Sequence, residues 1–458
     1  DILVRNEFFW GINVKKKFLV FGLILSAFLS PLSAAADELV DMARKMYPNE
    51  NVQAINRPKS SLMIDGNTGD ILWQDNIDEV RDPASMSKIM TLYLVFEAIK
   101  EGKLSLDTVI KATPQDQAVA GIYEISNNKI VAGVNYTVSE LITMTVVPSS
   151  NATTVMLANY LSDNDPDAFL DKMNAKAQEL GMTNTKWFNA SGAAAVSFKG
   201  YYTPQRYNNY ASNQTTARDL GILVYNFVKN YPDILNYTNQ AKVTVKAGTP
   251  YEETFETYNY SLPGARYALE GVDGLKTGSS PNGAFNYIAT VKRGNQRVIG
   301  VIMGVGDWSD QDGEYYRHPF GNALIEKSYA DYEYKKLFSK GKQEINGKTY
   351  NLPEDFYATI KKDAKAKPVV ENGVLKAGND LYTLSPKISD EMKVEEVDAS
   401  VTQSAKEEVT KKENNKTWYS DLLSNRWLIA LPIVIIILIF YIENRKSRKA
   451  KARARKNK

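Results

Sequence analysis

The sequence has no cysteine and a single histidine, His318. The first absence excludes a thiol nucleophile, a cysteine zinc site and any disulfide. The second leaves only His318 for a Ser-His-Asp triad, and no Gly-x-Ser-x-Gly elbow accompanies it. It also excludes a His-Glu-x-x-His metal motif. His318 precedes Pro319 in a predicted turn and reads as an ordinary surface residue. Hydrolytic chemistry in this chain would have to run on lysine, serine or carboxylates. No metal and no cofactor is indicated. A large excess of basic charge is missing too, apart from the C-terminus. Residues 444–458 carry nine basic residues and no acid, residues 1–36 carry +2, and 37–443 carry −8. A mildly acidic body offers no nucleic-acid footprint, so no nucleic-acid partner is expected.

Long hydrophobic runs are confined to the two ends. Lys15-Lys16-Lys17 precedes an apolar stretch from Phe18 to Leu29, then Pro31 and Ser33-Ala34-Ala35-Ala36. A basic region, an apolar core and an Ala-x-Ala end describe a secretory signal peptide, cleaved before Asp37; a buried core helix is the competing reading. Residues 1–13 fit poorly ahead of it, so 1–36 is taken as the signal region with a translation start expected at Val14. Trp427–Ile442 is uncharged and almost wholly apolar. It is somewhat shorter than the ~20 residues a spanning helix prefers. Arg426 and Glu443 could snorkel, and Trp427 and Tyr441 suit the interfaces. It reads as a transmembrane helix, with an interfacial helix containing Pro432 as the alternative. The basic tail 443–458 is then cytoplasmic by the positive-inside rule, and the body lies outside the cell membrane on a single-pass C-terminal anchor.

Between the ends, Ser60–Asp65 and Ile71–Gln74 read as a hairpin about Gly66-Asn67-Thr68-Gly69. An apolar helix follows from Pro83-Ala84-Ser85. Residues 104–136 read as short strands and loops. Thr137-Val138-Ser139-Glu140 is a capping box opening a helix to about Val147. Pro148-Ser149-Ser150-Asn151 breaks it before a second helix, Ala152–Leu161. Asp165-Pro166 starts another that ends at Gly181, and Thr216 caps one reaching Lys229. From Lys242 the pattern turns to strands, with Ala284–Arg293 and Gln296–Val305 joined by Gly294-Asn295. A last helix is expected around Asn322–Ala330. Residues 37–331 thus form an α+β domain, helices gathered on an antiparallel sheet. Residues 332–395 read as a small all-β domain with an Asn346-Gly347 hairpin. Residues 396–426 are a polar linker.

Chemistry concentrates in three places. Ser85 and Lys88 stand one helical turn apart at the start of a helix apolar on nearly all sides. Burial lowers a lysine pKa, and a neutral amine can take the proton of a serine hydroxyl. Ser149-Ser150-Asn151 lies in an interhelical loop, 64 residues on, and Lys276-Thr277-Gly278 lies among the strands, 127 beyond that. Singly these motifs are weak: Ser339-Lys340-Gly341-Lys342 and Ser126-Asn127-Asn128 also match. Their order, spacing and context together match the Ser-x-x-Lys, Ser-x-Asn and Lys-Thr-Gly set of β-lactamases and penicillin-binding proteins.

On these residues, and on Gly271–Ser280 and Ser339–Lys348, the chain over about 50–395 resembles a low-molecular-mass penicillin-binding protein, a serine-type D-alanyl-D-alanine carboxypeptidase. It is most similar to the membrane-anchored kind of Gram-positive bacteria, some of which also transpeptidate. The resemblance implies the penicillin-binding/β-lactamase-like fold, a peptidoglycan stem peptide ending in D-Ala-D-Ala as substrate, and β-lactams as covalent inhibitors. It implies Ser85 as nucleophile, Lys88 as general base, Ser149 as proton relay and Asn151 as positioning group. Lys276 and Thr277 would recognise the terminal carboxylate, Gly278 would let the strand lie close, and the Ser279 N–H would share the oxyanion hole with that of Ser85. Tyr258 and Tyr260 fall where similar proteins place aromatics beside the cleft, with cross-strand packing as the competing reading. Glu124 resembles a site-edge position, with a solvated loop acid as the favoured alternative. The rival functions are a slow serine β-lactamase, for which no Glu-x-x-Leu-Asn pattern is found between Asn151 and Lys276, and a non-catalytic cell-wall binding protein.

Overall fold

The computed structural model describes residues 37–397, 435–439 and 441–446. Its centre is an antiparallel five-stranded sheet. The strands are β1 (Ser60–Asp65), β2 (Ile71–Asp75), β3 (Val272–Ser280), β4 (Ala284–Arg293) and β5 (Gln296–Val305), in the order β2-β1-β5-β4-β3. Ser60 pairs with Met303 and Asp65 with Val298, so the first strand lies against the last.

Alternation along the strands sorts side chains to two buried faces. Tyr287, Ala289, Val298 and Ile302 join one apolar cluster with α1 (Glu38–Met46) and a long helix, Gly313–Asp331. Ile288, Ile299, Val301 and Met303 join the other, which holds the remaining large helices. Covered on both sides, β5 can be apolar at nearly every position. The helical side contains α2 (Lys88–Lys100), α3 (Val138–Val146), α4 (Asn151–Tyr160), α5 (Pro166–Leu180) and α6 (Ala217–Asn230). Thr137 and Glu140 form the expected reciprocal capping box of α3. Gly181 ends α5 in the left-handed conformation at φ 87°. In α2, ten of thirteen residues are buried, which is why its sequence shows no polar stripe.

Three expectations need correcting. Residues 104–136 contain a helix, Pro114–Ala120, opened by a capping box between Thr113 and Asp116. The last helix of this part, α7 (Gly313–Asp331), begins nine residues before the expected Asn322 and contains Pro319. Packing explains it: a Cβ on Gly321 would lie 3.1 Å from the Tyr287 ring, so the segment is pressed onto the sheet whatever its propensity. His318 is therefore not a surface residue; it is fully buried.

The chain divides into two compact units. Within 332–395, residues 357–368 and 377–391 group with the larger unit: Thr359 bonds Thr68, and Leu384 and Ile388 enter the helical core. The smaller unit contains a hairpin of β6 (Gly341–Ile345) and β7 (Lys348–Leu352) about Asn346-Gly347, both at positive φ, and a small sheet turning at Asn372-Gly373. A positive φ at both turn residues matches the twist of the flanking strands. Of the apolar run 427–442, residues 435–439 and 441–442 are helical; the rest, the signal region and most of the linker lie outside the described residues. Among the described residues no helix is long and apolar enough to cross a membrane.

Candidate active site

The nucleophile candidate sits on a short 3-10 turn, Ala84–Ser87, that runs straight into α2. Ala84 has φ 48°, a left-handed conformation costly for a residue with a Cβ. Two groups fix it. Asp82 accepts the Ala84 N–H at 2.8 Å and, through its other oxygen, the Ser280 hydroxyl at 2.8 Å. Gly192, at φ 97°, packs where a Cβ would fall 1.9 Å from Ala84 O. Ser149, at φ 59°, is the second such residue in the site. Strain of this kind concentrates where function over-determines the backbone.

Lys88 is completely buried. Its Nζ stands 3.0 Å from Ser85 Oγ and donates to Asn151 Oδ1 and to the Ser191 carbonyl, each at 2.8 Å. Burial, helped by the nearby Lys276 cation, pushes its pKa well below the ordinary lysine range. Asn151 is held in turn, donating to the Ser126 carbonyl at 2.9 Å. The Ser191 carbonyl is set by Asn189, whose Oδ1 accepts the Gly192 N–H at 2.6 Å.

On the sheet side, Lys276 in β3 donates to Ser149 Oγ at 2.9 Å and to the Thr277 carbonyl at 3.0 Å. Burial first, and the Arg317 guanidinium second, lower its pKa to about 7. Gly278 is where β3 meets the nucleophile turn. A Cβ there would lie 2.5 Å from Pro83 O, 2.8 Å from Met86 N and 3.0 Å from Ser85 N. These groups, brought from three distant parts of the chain, border a cleft of about 530 Å³ whose lining includes Ser85, Ser149, Asn151, Thr277, Gly278 and Ser279.

The remaining sequence candidates divide. Tyr258 lines the cleft and is 38% exposed. Tyr260 is outside the lining: it stacks on Tyr315 and donates to Glu314 at 2.9 Å, which is packing. Glu124 lines the cleft rim and pairs with Lys199 at 2.7 Å.

Sequence reasoning missed two groups. Arg317 in α7 is buried, yet it lines the cleft and donates to Ser279 Oγ at 2.9 Å. Burial lowers its pKa only to about 10, so it keeps its charge at neutral pH. Asp82 is the second; its place just before Pro83-Ala84-Ser85 was the available signal. Behind the site, His318 Nδ1 lies 3.0 Å from Ser261 Oγ among Tyr260, Tyr267 and Tyr287, and burial holds its pKa far below the usual range. Among the described residues no group of acids and histidines could hold a metal ion.

The chain is 27% identical to D-alanyl-D-alanine carboxypeptidase DacF of Bacillus subtilis over 344 residues, 71% of this chain and 80% of the relative. It is 25% identical to DacA of Escherichia coli over 381 residues, 80% and 85% of the two chains. Among solved structures, a peptidoglycan synthesis regulatory factor (PBP3) of Streptococcus pneumoniae superposes with TM-score 0.64 at 24% identity, over 75% of this chain and 99% of that one. Penicillin binding protein 5 of Haemophilus influenzae gives 0.59 at 21%, over 76% and 98%; both show the same fold. A domain of unknown function matches residues 334–395. The D-alanyl-D-alanine carboxypeptidase family matches residues 48–307, more than half of the sequence, and the chain belongs to that family.

Proposed function

We propose that this serine D-Ala-D-Ala carboxypeptidase cleaves peptidoglycan stem peptides through an acyl-enzyme on Ser85, with Lys88 as the base. The observation that carries the reading is the set of partners around Lys88 Nζ. A neutral amine has two N–H donors and one lone pair. The Asn151 amide oxygen and the Ser191 carbonyl can only accept, so they take the two protons. The lone pair is left for the Ser85 hydroxyl at 3.0 Å, within the reach of a general base.

Ser85 Oγ attacks the carbonyl of the penultimate D-alanine while its proton passes to Lys88. The backbone N–H groups of Ser85 and Ser279 receive the developing oxyanion, an arrangement supported by the close approach of β3 at Gly278. The proton reaches the leaving D-alanine nitrogen through Ser149. Thr277, Lys276 and Arg317 hold the terminal carboxylate, for which a buried guanidinium and a buried amine whose protonation an arriving anion favours are suited. Water then attacks the acyl-serine, Lys88 taking its proton and returning it to Ser85 Oγ as the ester bond breaks; an amine in place of water gives cross-linking. A β-lactam entering the same site acylates Ser85 as its ring C–N bond opens, and the released nitrogen stays tethered to the acyl group instead of departing. The three carboxylates of the cleft lining are otherwise engaged: Asp82 by Ala84 and Ser280, Glu124 by Lys199, Glu314 by Tyr260. None is left to activate a deacylating water, which favours a long-lived penicillin adduct over β-lactamase turnover. The signal-like run 15–29 and the apolar run 427–442 support export and a C-terminal membrane anchor, with the body outside.

Incubation with a fluorescent penicillin, a chase with unlabelled drug and a parallel Ser85→Ala variant test this. A label stable for hours and absent from the variant is expected. Loss within seconds with drug consumed would move the reading to a β-lactamase. An unlabelled wild-type chain would end it.

A further inference from the structure

A second cavity, of about 970 Å³, opens between α4, the helix Pro114–Ala120 and the segment 200–203. It is larger than the catalytic cleft and has no part in the mechanism above. Its lining is neither apolar nor of one charge. Tyr160 and Tyr201 border it, 45% and 42% exposed. Around them stand Gln115, Asp116, Asn159 and Asn164. Half-exposed tyrosine rings beside amides and a carboxylate suit a ligand with apolar C–H faces and many hydroxyl and amide groups. An amino-sugar saccharide has that chemistry.

The walls are preformed. Gln115 donates to the Tyr201 carbonyl at 2.6 Å, tying the short helix to the loop. The buried Tyr202 hydroxyl accepts the Ala190 N–H at 3.2 Å, tying the same loop to the segment that positions Lys88. Both connections lead to the catalytic cleft. The segment that lines the cleft at Gly192–Ala194 and Ser197 lines the cavity at Gly200–Thr203. Helix α4 does the same: Asn151 at its start lines the cleft, and Asn159 and Tyr160 at its end line the cavity. Eight residues of helix separate Asn151 from Asn159, a rise of about 12 Å. The three stem residues between the reactive D-alanine and its sugar extend over roughly 10–12 Å.

We infer that this cavity binds the glycan to which the stem peptide is attached, so that one substrate molecule occupies both sites. The inference rests on the stem-peptide reading and adds the saccharide to it. It predicts that the full-length chain binds a peptide-free N-acetylglucosamine–N-acetylmuramic acid disaccharide, and that Tyr160→Ala and Tyr201→Ala each weaken that binding about five- to tenfold. The same variants should raise KM for a disaccharide-pentapeptide by a similar factor. They should leave kcat/KM for the bare pentapeptide, and the rate of penicillin labelling, at wild-type values. Unchanged penicillin labelling also certifies that the variants fold. Absence of disaccharide binding in the wild type overturns the inference even where the bare pentapeptide is cleaved. Equal loss on both peptide substrates overturns it as well. Disaccharide binding that depends on Tyr160 in a chain that cleaves neither peptide upholds the saccharide site and refutes the catalytic reading instead.

Discussion

Replacing Gly278 by alanine tests the geometry of the cleft at its tightest point. The added methyl would meet Pro83 O at 2.5 Å, where ordinary contact begins at 3.4 Å. All three atoms it meets, Pro83 O, Met86 N and Ser85 N, are backbone, so no rotamer change can relieve it. Strand β3 and the nucleophile turn must separate by about 0.9 Å, and overpacking of this kind costs about 1–3 kcal/mol of stability. Catalysis suffers more, because the two proposed oxyanion donors, at Ser85 and Ser279, lie on the two pieces being pushed apart. A misplacement near 1 Å costs about 100-fold in rate, or about 2.7 kcal/mol of barrier. The assay is the second-order rate of acylation by a fluorescent penicillin, measured well below the melting temperature of the variant. A Gly278→Ala protein that melts as a folded domain and acylates within threefold of wild type would refute the argument that this approach aligns the oxyanion hole.

Two further predictions follow from buried groups. Arg317→Met should lower kcat/KM about 10- to 100-fold for a peptide ending in a free carboxylate, and leave a peptide ending in D-alaninamide unaffected; equal effects on both would remove Arg317 from carboxylate recognition. His318 should make stability sensitive to acid. Its folded pKa is depressed, so below about pH 6.5 the unfolded chain binds a proton that the folded chain refuses. The His318 contribution should then fall by up to about 1.4 kcal/mol per unit below that point, against the opposite contribution of Asp70, whose pKa burial raises to about 7, so the stability of wild type relative to His318→Phe in urea melts should be lower at pH 5 than at pH 7.5; a difference independent of pH would contradict the buried neutral imidazole.

The parts of the site legible in the sequence were those in which local order carries the chemistry. Ser85 and Lys88 share a helix turn, and the break at Pro148 announces the loop holding Ser149 and Asn151. The hairpin of β4 and β5 was legible to the residue because apolar runs meet at Gly294-Asn295. Arg317 and His318 were not legible, for one physical reason. They lie in a helix with glycine at 313 and 321 and proline at 319, all signs of a break. Helical structure there comes from packing on the sheet, which a propensity argument does not see. Asp82 was hidden differently: a lone carboxylate before a proline carries no periodicity, and its role appears only with the left-handed Ala84 whose N–H it accepts and with Ser280, 198 residues away. Tyr258 and Tyr260 could not be separated either, since strand-like alternation puts both on one face and only the neighbouring Tyr315 and Glu314 draw Tyr260 out of the cleft lining.

The pairing of β1 with β5 has a consequence in time. Synthesis delivers the nucleophile turn early, just behind β1, but the edge strand it must dock against, β3 (Val272–Ser280), arrives nearly two hundred residues later, and β5, the inner neighbour of β1, later still. Until Gln296–Val305 emerges, β1 lacks its inner neighbour, and β3, the strand the turn leans on, is not yet joined to it through the sheet. The closing of the sheet and the birth of a reactive serine are then a single event. A chain cut short before β5 should be inert to penicillin whatever its helices are doing, and the first moment a growing chain takes the label would clock the completion of its topology.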